Sequence, residues 1–449
     1  MTGVGSLTRK IIMFALPLIA SGIVQQSFNA VDVAVVGKFV GPHALAAVGA
    51  NGPIIALLVN LFIGISVGAN VVIATCIGQR NRRDIGRAVS TSALVALIGG
   101  LALLVLGVTV TRPILESLDT PADILDDAAK YLRIYALGFP AMMVYNFGNA
   151  ILRSTGDTKR PFYWLCIGGV VNVILNLFLV LVCDMGVHGV AVATVCANFV
   201  SAGGIVWILT HEKSDIRLDL RAMKMWRAQL RKIMQIGLPA GLQGMVFALS
   251  NVFIQGAINR FGAAAVAGSA AAITFEIYCY FVVSAFVQAA VAFMSQNYGA
   301  GLYSRCRTIF LRCLFLGMGS CAALNVLIIC FHVQCLSVFT ADPETLRYAM
   351  ERLTTVLAFQ WIATSYEVSA GAMRSVGYSL TPTIIIIFGT CVLRIVWVHV
   401  QEFTSFPHLL LIYPISWTIT GIAVTAAWLY VAKKILNRPD SPHALPSAA

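Results

Sequence analysis

The sequence predicts an all-α integral membrane protein of twelve transmembrane helices, arranged as two six-helix bundles. Three observations predict it: an apolar composition, twelve apolar runs of spanning length, and landmarks that recur in order along the chain. Of 449 residues, 59% are hydrophobic and 11% charged, where a soluble domain carries roughly a quarter charged residues. A larger soluble core would not lower that fraction, because it still needs a polar surface. Contact with lipid lowers it directly.

The apolar runs cover about 11–36, 50–78, 90–111, 131–152, 162–183, 187–210, 233–258, 267–294, 308–331, 349–372, 380–400 and 408–432. Their lengths and lack of alternation fit helices rather than barrel strands. The first run follows Arg9 and Lys10, as a signal peptide would, but it is longer than a signal h-region and lacks a cleavage site. The eleven Cys lie mostly inside these runs, with no CxxC or Cys/His spacing for a metal.

With a cytoplasmic N-terminus, 23 of the 31 Lys and Arg fall on the cytoplasmic side. They include Arg80, Arg82, Arg83, Arg87, Lys159 and Arg160. The opposite side holds Lys38, Arg112, Lys130, Arg133, Arg260, Arg347 and Arg352, together with the acids Asp119, Asp123, Asp126 and Asp127. That bias places both termini in the cytoplasm of a multi-pass protein. The net charge of +12 therefore reads as topology, with no nucleic-acid partner implied.

The charged stretch at 211–232 divides the chain. It separates an N-terminal bundle, 1–210, from a C-terminal bundle, 233–432, which is followed by a cytoplasmic tail, 433–449. "RKIIMFALP" from Arg9 recurs as "RKIMQIGLP" from Arg231, "IGQRN" is echoed by "SQNYG", and "ILRSTGDTKRP" by "AMRSVGYSLTP". The offsets read as 222, 217 and 221, the mark of a duplication. Each half has an even number of spans, so the copies enter from the same side and should be related by a pseudo-two-fold axis along the membrane normal.

Charged and amide side chains inside spans are the candidate functional residues, because lipid tolerates them mainly beside cavities or partners. Gln25, Asn29 and Asp32 form one stripe on the first span, Asn172 and Asn176 share a face of the fifth, and Thr194 lies on the sixth. Amides of this kind also serve as interhelical hydrogen bonds of about 0.6 kcal/mol. Burial disfavours a bare anion, so Asp32 either exchanges a proton or holds Na⁺ with neighbouring oxygens, and otherwise no metal or cofactor is implied. In the second half Glu276 and Tyr280 lie on the eighth span and Glu367 on the tenth. Arg394 on the eleventh needs a partner that Glu276 or Glu367 could supply.

"NAVDVAVVG", from Asn29 to Gly37, is similar to the helix-one signature of the multidrug and toxic compound extrusion (MATE) transporters. The "IGQRN"/"SQNYGAG" and "LRSTGDTKRP"/"MRSVGYSLTP" pairs resemble that family's paired segments, and Glu276 resembles the acid of its DinF-like bacterial branch. The resemblance implies no enzyme but a bacterial inner-membrane antiporter. It would act as a monomer in lipid, exporting small amphiphilic or cationic molecules against H⁺ or Na⁺ by alternating access. It maps the cation site onto Asp32, Asn172, Asn176 and Thr194, with Asn176 standing where many relatives carry Asp. The second-half acids of the NorM branch would fall near Gln243 and at Ala363. A lipid-linked oligosaccharide flippase of the same superfamily is the alternative cargo class. A membrane enzyme would need a clustered catalytic set, and the seven His are scattered.

Overall fold

The computed structural model describes residues 4–117, 121–337, 339, 342–401, 403 and 405–440; Asp119 and the 441–449 part of the expected tail lie outside the described residues. In chain order the helices are α1 (Val4–Val35), α2 (Pro42–Gly78), α3 (Arg82–Thr109), α4 (Thr111–Ser117), α5 (Ala122–Ala136), α6 (Phe139–Ser154), α7 (Lys159–Leu181), α8 (Gly186–His211) and α9 (Arg227–Asn259). They continue as α10 (Ala263–Gly299), α11 (Tyr303–Cys330), α12 (His332–Ser337), α13 (Pro343–Thr355), α14 (Ala363–Ser375), α15 (Leu380–Ile386), α16 (Leu393–Val400), α17 (Phe406–Leu410) and α18 (Ile412–Ile435). No strand occurs among the described residues.

Ten helical stretches among the described residues are long and apolar enough to cross a membrane. The other two expected spans, 131–152 and 349–372, are composite. In the first, α5 puts Ile124, Ala128 and Leu132 inside and its charges outside. The chain then turns at Leu137 and Gly138, and α6 starts with Pro140 in its first turn, where the missing N–H costs nothing. In the second, α13 passes through a 3₁₀ turn, Leu357–Ile362, into α14. Large apolar side chains such as Phe315, Ile422 and Tyr430 are 67%, 68% and 72% exposed on their helices, an arrangement suited to lipid.

The chain forms two compact units, one of Ala20–Gly241 and one of Leu242–Ala449 together with Met1–Ile19. Thus α1 and α9 each contribute to both units. Each changes unit two residues beyond an internal proline, Pro17 in α1 and Pro239 in α9. In the second unit Leu7, Ile11 and Phe14 pack with Ile254, Ala257, Phe286 and Ala289 in one core.

The duplication is visible in the backbone. Pro17 and Pro239 are 222 residues apart. After a π turn at Val36–Val40 the spacing becomes 221: Gly41 and Gly262, Arg80 and Gly301, and Gly156 and Gly377 all have positive φ. A π turn takes one residue more than an α turn, which accounts for the step. The Arg80–Gly301 pair also replaces the middle offset of 217 read from the sequence. A second π turn, Ile387–Val392, adds a residue to the later copy and returns the spacing to 222.

Within the Ala20–Gly241 unit, α2 and the first half of α9 meet backbone to backbone. A Cβ on Gly64 would strike the Gly241 backbone, one on Gly68 the Ile233 carbonyl, and one on Gly237 would stand 2.6 Å from Ile65 Cα. Glycines four apart on both helices permit that approach. The segment between α8 and α9 is tied down rather than loose. Lys224 N donates to Ser90 Oγ at 2.7 Å, and Trp226 N to Thr91 Oγ1 at 3.1 Å.

Backbone cannot yield as a side chain can, so Gly237→Ala should cost about 1–3 kcal/mol. It should lower the thermal midpoint in detergent. Gly256→Ala on the same helix, where a Cβ meets nothing within 4 Å, should stay within about 0.5 kcal/mol of the parent. Equal midpoints for the two variants would remove the close-packed seam from the account.

Candidate functional site

Asp32 lies in the last turns of α1 and is half-buried. Asn172 and Asn176, four residues apart on α7, face it, and Thr194 approaches from α8. Asn176 Nδ2 donates to Asp32 Oδ1 and, at 3.2 Å, to Asn172 Oδ1. Asn172 Nδ2 donates to Thr194 Oγ1 at 3.3 Å. Thr194 Oγ1 lies 3.0 Å from the Val190 carbonyl and 3.5 Å from Asp32 Oδ2, so its single proton serves one acceptor at a time.

Asn172 is 5% and Asn176 0% exposed, and Asn176 Oδ1 is buried without a hydrogen-bond partner. Val35, Val36, Val180, Val187, Val190 and Tyr131 form one buried apolar cluster in the same stretches of chain. Gln25 and Asn29 are exposed on α1 and take no part in these hydrogen bonds.

The chemistry of this arrangement is specific. Asp32 is met by neutral donors, and no ion pair to it occurs among the described residues. Its oxygens, with those of Asn172, Asn176 and Thr194, offer a hard, oxygen-lined seat for a small cation, or one carboxylate to carry a proton. Among the described residues no group of three or more His, Cys, Asp or Glu is placed to hold a metal ion, so an ion bound at Asp32 would depend on amide and hydroxyl oxygens as well. Asn176 donates to Asp32 and leaves that pocket with one formal negative charge.

The second half is arranged differently. Arg352 Nε and Nη2 donate to Glu276 Oε1 and Oε2 at 2.6 and 3.0 Å, a bidentate pair. Gln360 Nε2 caps the Glu276 carbonyl at 2.8 Å. The sequence reading had counted Arg352 among the outer-loop bases; its side chain is 2% exposed, because the amphipathic α13 turns that face inward. Glu276 is therefore taken, and it is not the partner of Arg394.

Arg394 is fully buried. Its Nε donates to Ser416 Oγ at 3.3 Å and its Nη1 to Asn251 Oδ1 at 3.4 Å. It has no ion pair with Glu367 either. Glu367 is half-buried on α14, seven residues before Arg374, and Tyr280 is exposed on α10. Arg374 Nη2 donates to Gln243 Oε1 at 2.7 Å, so Gln243, where an acid was sought by resemblance, serves as a neutral acceptor. Ala363 is buried and brings no charge.

Arg352, Arg374, Asn251, Ser416 and Tyr413 were not singled out from the sequence. One signal could have found Arg352: it falls inside the apolar run drawn at 349–372, where a base needs an acid.

A family model described as MatE matches residues 17–178 and, a second time, residues 239–399. The chain is 28% identical over 390 residues to the probable multidrug resistance protein YoeA of Bacillus subtilis (strain 168), covering 85% of this chain and 84% of that one. It is 25% identical over 415 residues to the probable multidrug resistance protein NorM of Thermotoga maritima, covering 89% and 87%. It is 25% identical over 292 residues to the DNA damage-inducible protein F of Escherichia coli (strain K12), covering 64% and 62%. A solved structure, the outward-facing conformation of a multidrug resistance MATE family transporter, shares the fold with a TM-score of 0.89 at 21% identity, over 98% of this chain and 99% of that one.

Removing one partner of a buried ion pair strands the other charge. Glu276→Gln should therefore destabilise the protein by about 3–5 kcal/mol, while Glu276→Leu combined with Arg352→Met recovers most of the loss. Thermal unfolding of the purified variants measures both. A double variant no more stable than Glu276→Gln would rule out stranded charge as the cause.

Proposed function

The chain belongs to the MatE family of membrane transporters, and from that premise we propose that it exports small amphiphilic or cationic molecules by antiport against a cation that binds at Asp32. The observation carrying this reading is a carboxylate in a spanning helix that is held by neutral donors alone. A structural carboxylate in lipid would be expected to hold a base, as Glu276 does. One left without a base is suited to take up and release a cation, H⁺ or Na⁺, during a cycle.

The proposed cycle starts with the outer side open. A cation from outside neutralises Asp32 and draws Asn172, Asn176 and Thr194 around it, which favours one arrangement of α1, α7 and α8. Cargo binds the other arrangement more tightly. Antiport follows only from that inequality of affinities. We place the protein in the bacterial cytoplasmic membrane as a monomer, with both termini inside, as the distribution of basic residues supports. The segment 211–232 joins the two copies of the duplicated unit. Homologues named for multidrug resistance support small organic cargo.

Reconstituted full-length protein, given a proton gradient or a Na⁺ gradient separately, should drive a cationic dye across the bilayer with one of the two. Asp32→Asn should reduce gradient-driven transport at least about tenfold, equivalent to about 1.4 kcal/mol of coupling, while its elution profile and thermal midpoint stay close to the parent's. Asn176→Asp, which adds a second acid, should shift the ion dependence rather than abolish it. Transport by Asp32→Asn at the parental rate in both gradients would end the assignment.

A further inference from the structure

The polar residues around Arg394 repeat those around Asp32 with their charge reversed. The spacing between the copies is 222 before the first π turn and again beyond the second; it aligns Asn29 with Asn251 in the first stretch, and Asn172 with Arg394 and Thr194 with Ser416 in the last. The contacts repeat as well. Asn172 donates to Thr194 Oγ1 at 3.3 Å across 22 residues, and Arg394 donates to Ser416 Oγ at 3.3 Å across 22 residues. At the place of the acid, Asp32, the later copy has Ile254, which is fully buried. One pocket has therefore lost its carboxylate and gained a guanidinium, on the same framework.

The guanidinium is poorly served by the protein. Its two hydrogen bonds, at 3.3 and 3.4 Å, go to neutral oxygens, and Nη2 is buried without a hydrogen-bond partner. Its carbon lies 5.3 Å from the Phe247 ring centre and 4.5 Å from that of Tyr413. Rings beside a guanidinium leave its edge as the place for an acceptor, and that edge fits a carboxylate or a single ion. Arg352 stands 5.2 Å from the same Tyr413 ring, already paired with Glu276. Of the two bases beside the Tyr413 ring, Arg352 is thus paired with an acid and Arg394 is not.

We propose that the Leu242–Ala449 unit holds a site for one monovalent anionic group, centred on Arg394 beside Asn251, Ser416 and Tyr413. Its complete burial limits the occupant to the size of a chloride ion or one carboxylate. The free inorganic ion and the carboxylate of a zwitterionic cargo share that chemistry. The site is independent of cation coupling at Asp32, because anion binding needs no transport.

The test uses purified full-length protein in detergent, at constant ionic strength, with a bulky sulfonate as the background anion. Titration with chloride or with acetate should raise the thermal midpoint saturably. Arg394→Gln should flatten that response. Arg394→Lys, which keeps the charge and folds if the glutamine variant does not, should move half-saturation about tenfold higher, since a point charge lacks the planar edge. A parental protein without a saturable response, or an Arg394→Lys response equal to the parent's, overturns the proposal. Reconstituted protein then separates the two sources. Chloride is the occupant if its removal slows export of a purely cationic dye. A cargo carboxylate is the occupant if Arg394→Gln loses at least about tenfold of export for a carboxylate-bearing zwitterion alone.

Discussion

A charge drawn into the hydrocarbon layer has to find its solvation in the protein, and the way each charge finds it sorts the polar residues of this chain. Glu276 is solvated by Arg352 through two short hydrogen bonds. That pair is closed: changing the charge of either member strands the other. Asp32 is solvated by an amide and a hydroxyl. Neutral donors stabilise an anion, yet they can turn or lengthen when a cation arrives, so Asp32 can change charge without leaving an orphan ion behind. The two acids look alike in the sequence, each inside an apolar run. Only what stands against them separates the two.

Duplication explains how such different sites share one framework. Helix lengths, positive-φ positions and the proline in the first helix of each half recur, because they fix the backbone path. Side chains facing the interior are freer to diverge, provided that each new charge is accommodated. The later copy gave up the carboxylate at Ile254 and placed Arg394 where the earlier has Asn172. Each π turn carries the extra residue within a helix, which moves the register by one without a loop insertion.

Much of this was legible because lipid enforces strict rules. Runs of twenty apolar residues, basic loops and repeated motifs yielded the helical class and the duplication. The clustering of Asp32 with Asn172, Asn176 and Thr194 followed from i, i+4 spacing and family likeness. Gln25 and Asn29 share the Asp32 stripe by spacing but are exposed, since a helical stripe specifies a face and not what covers it. Arg352 was misread because its span is composite, whereas the middle offset came from matching short motifs without the backbone turn that fixes their register. Composite spans and π turns break the assumption of continuous helices, and a base at the edge of an apolar run looks like a loop residue until the neighbouring helix shows its acid. The partner of Arg394 was sought among acids, whereas the structure supplies Asn251 and Ser416, which hydropathy does not mark.

Under the proposed antiport, the placement of Asp32 along α1 would give a bound ion mechanical purchase. Residues 20–35 of α1 pack with the Ala20–Gly241 unit, and residues before them pack with the other. Pro17 sits just before the change, where the ring removes a helical hydrogen bond and eases bending. On the same proposal, a pull on Asp32 from α7 and α8 would fall on the segment beyond that weak point, while Leu7, Ile11 and Phe14 belong to a core of the other unit. In α9 the same position is braced on one side, because Gly237 and Gly241 lock its first half to α2. The two helices are sequence repeats with the same proline, yet only α1 carries a carboxylate beyond it; its counterpart in α9 is Ile254. The duplicated scaffold thus supplies two proline-marked positions, one braced against α2 and the other followed by a carboxylate.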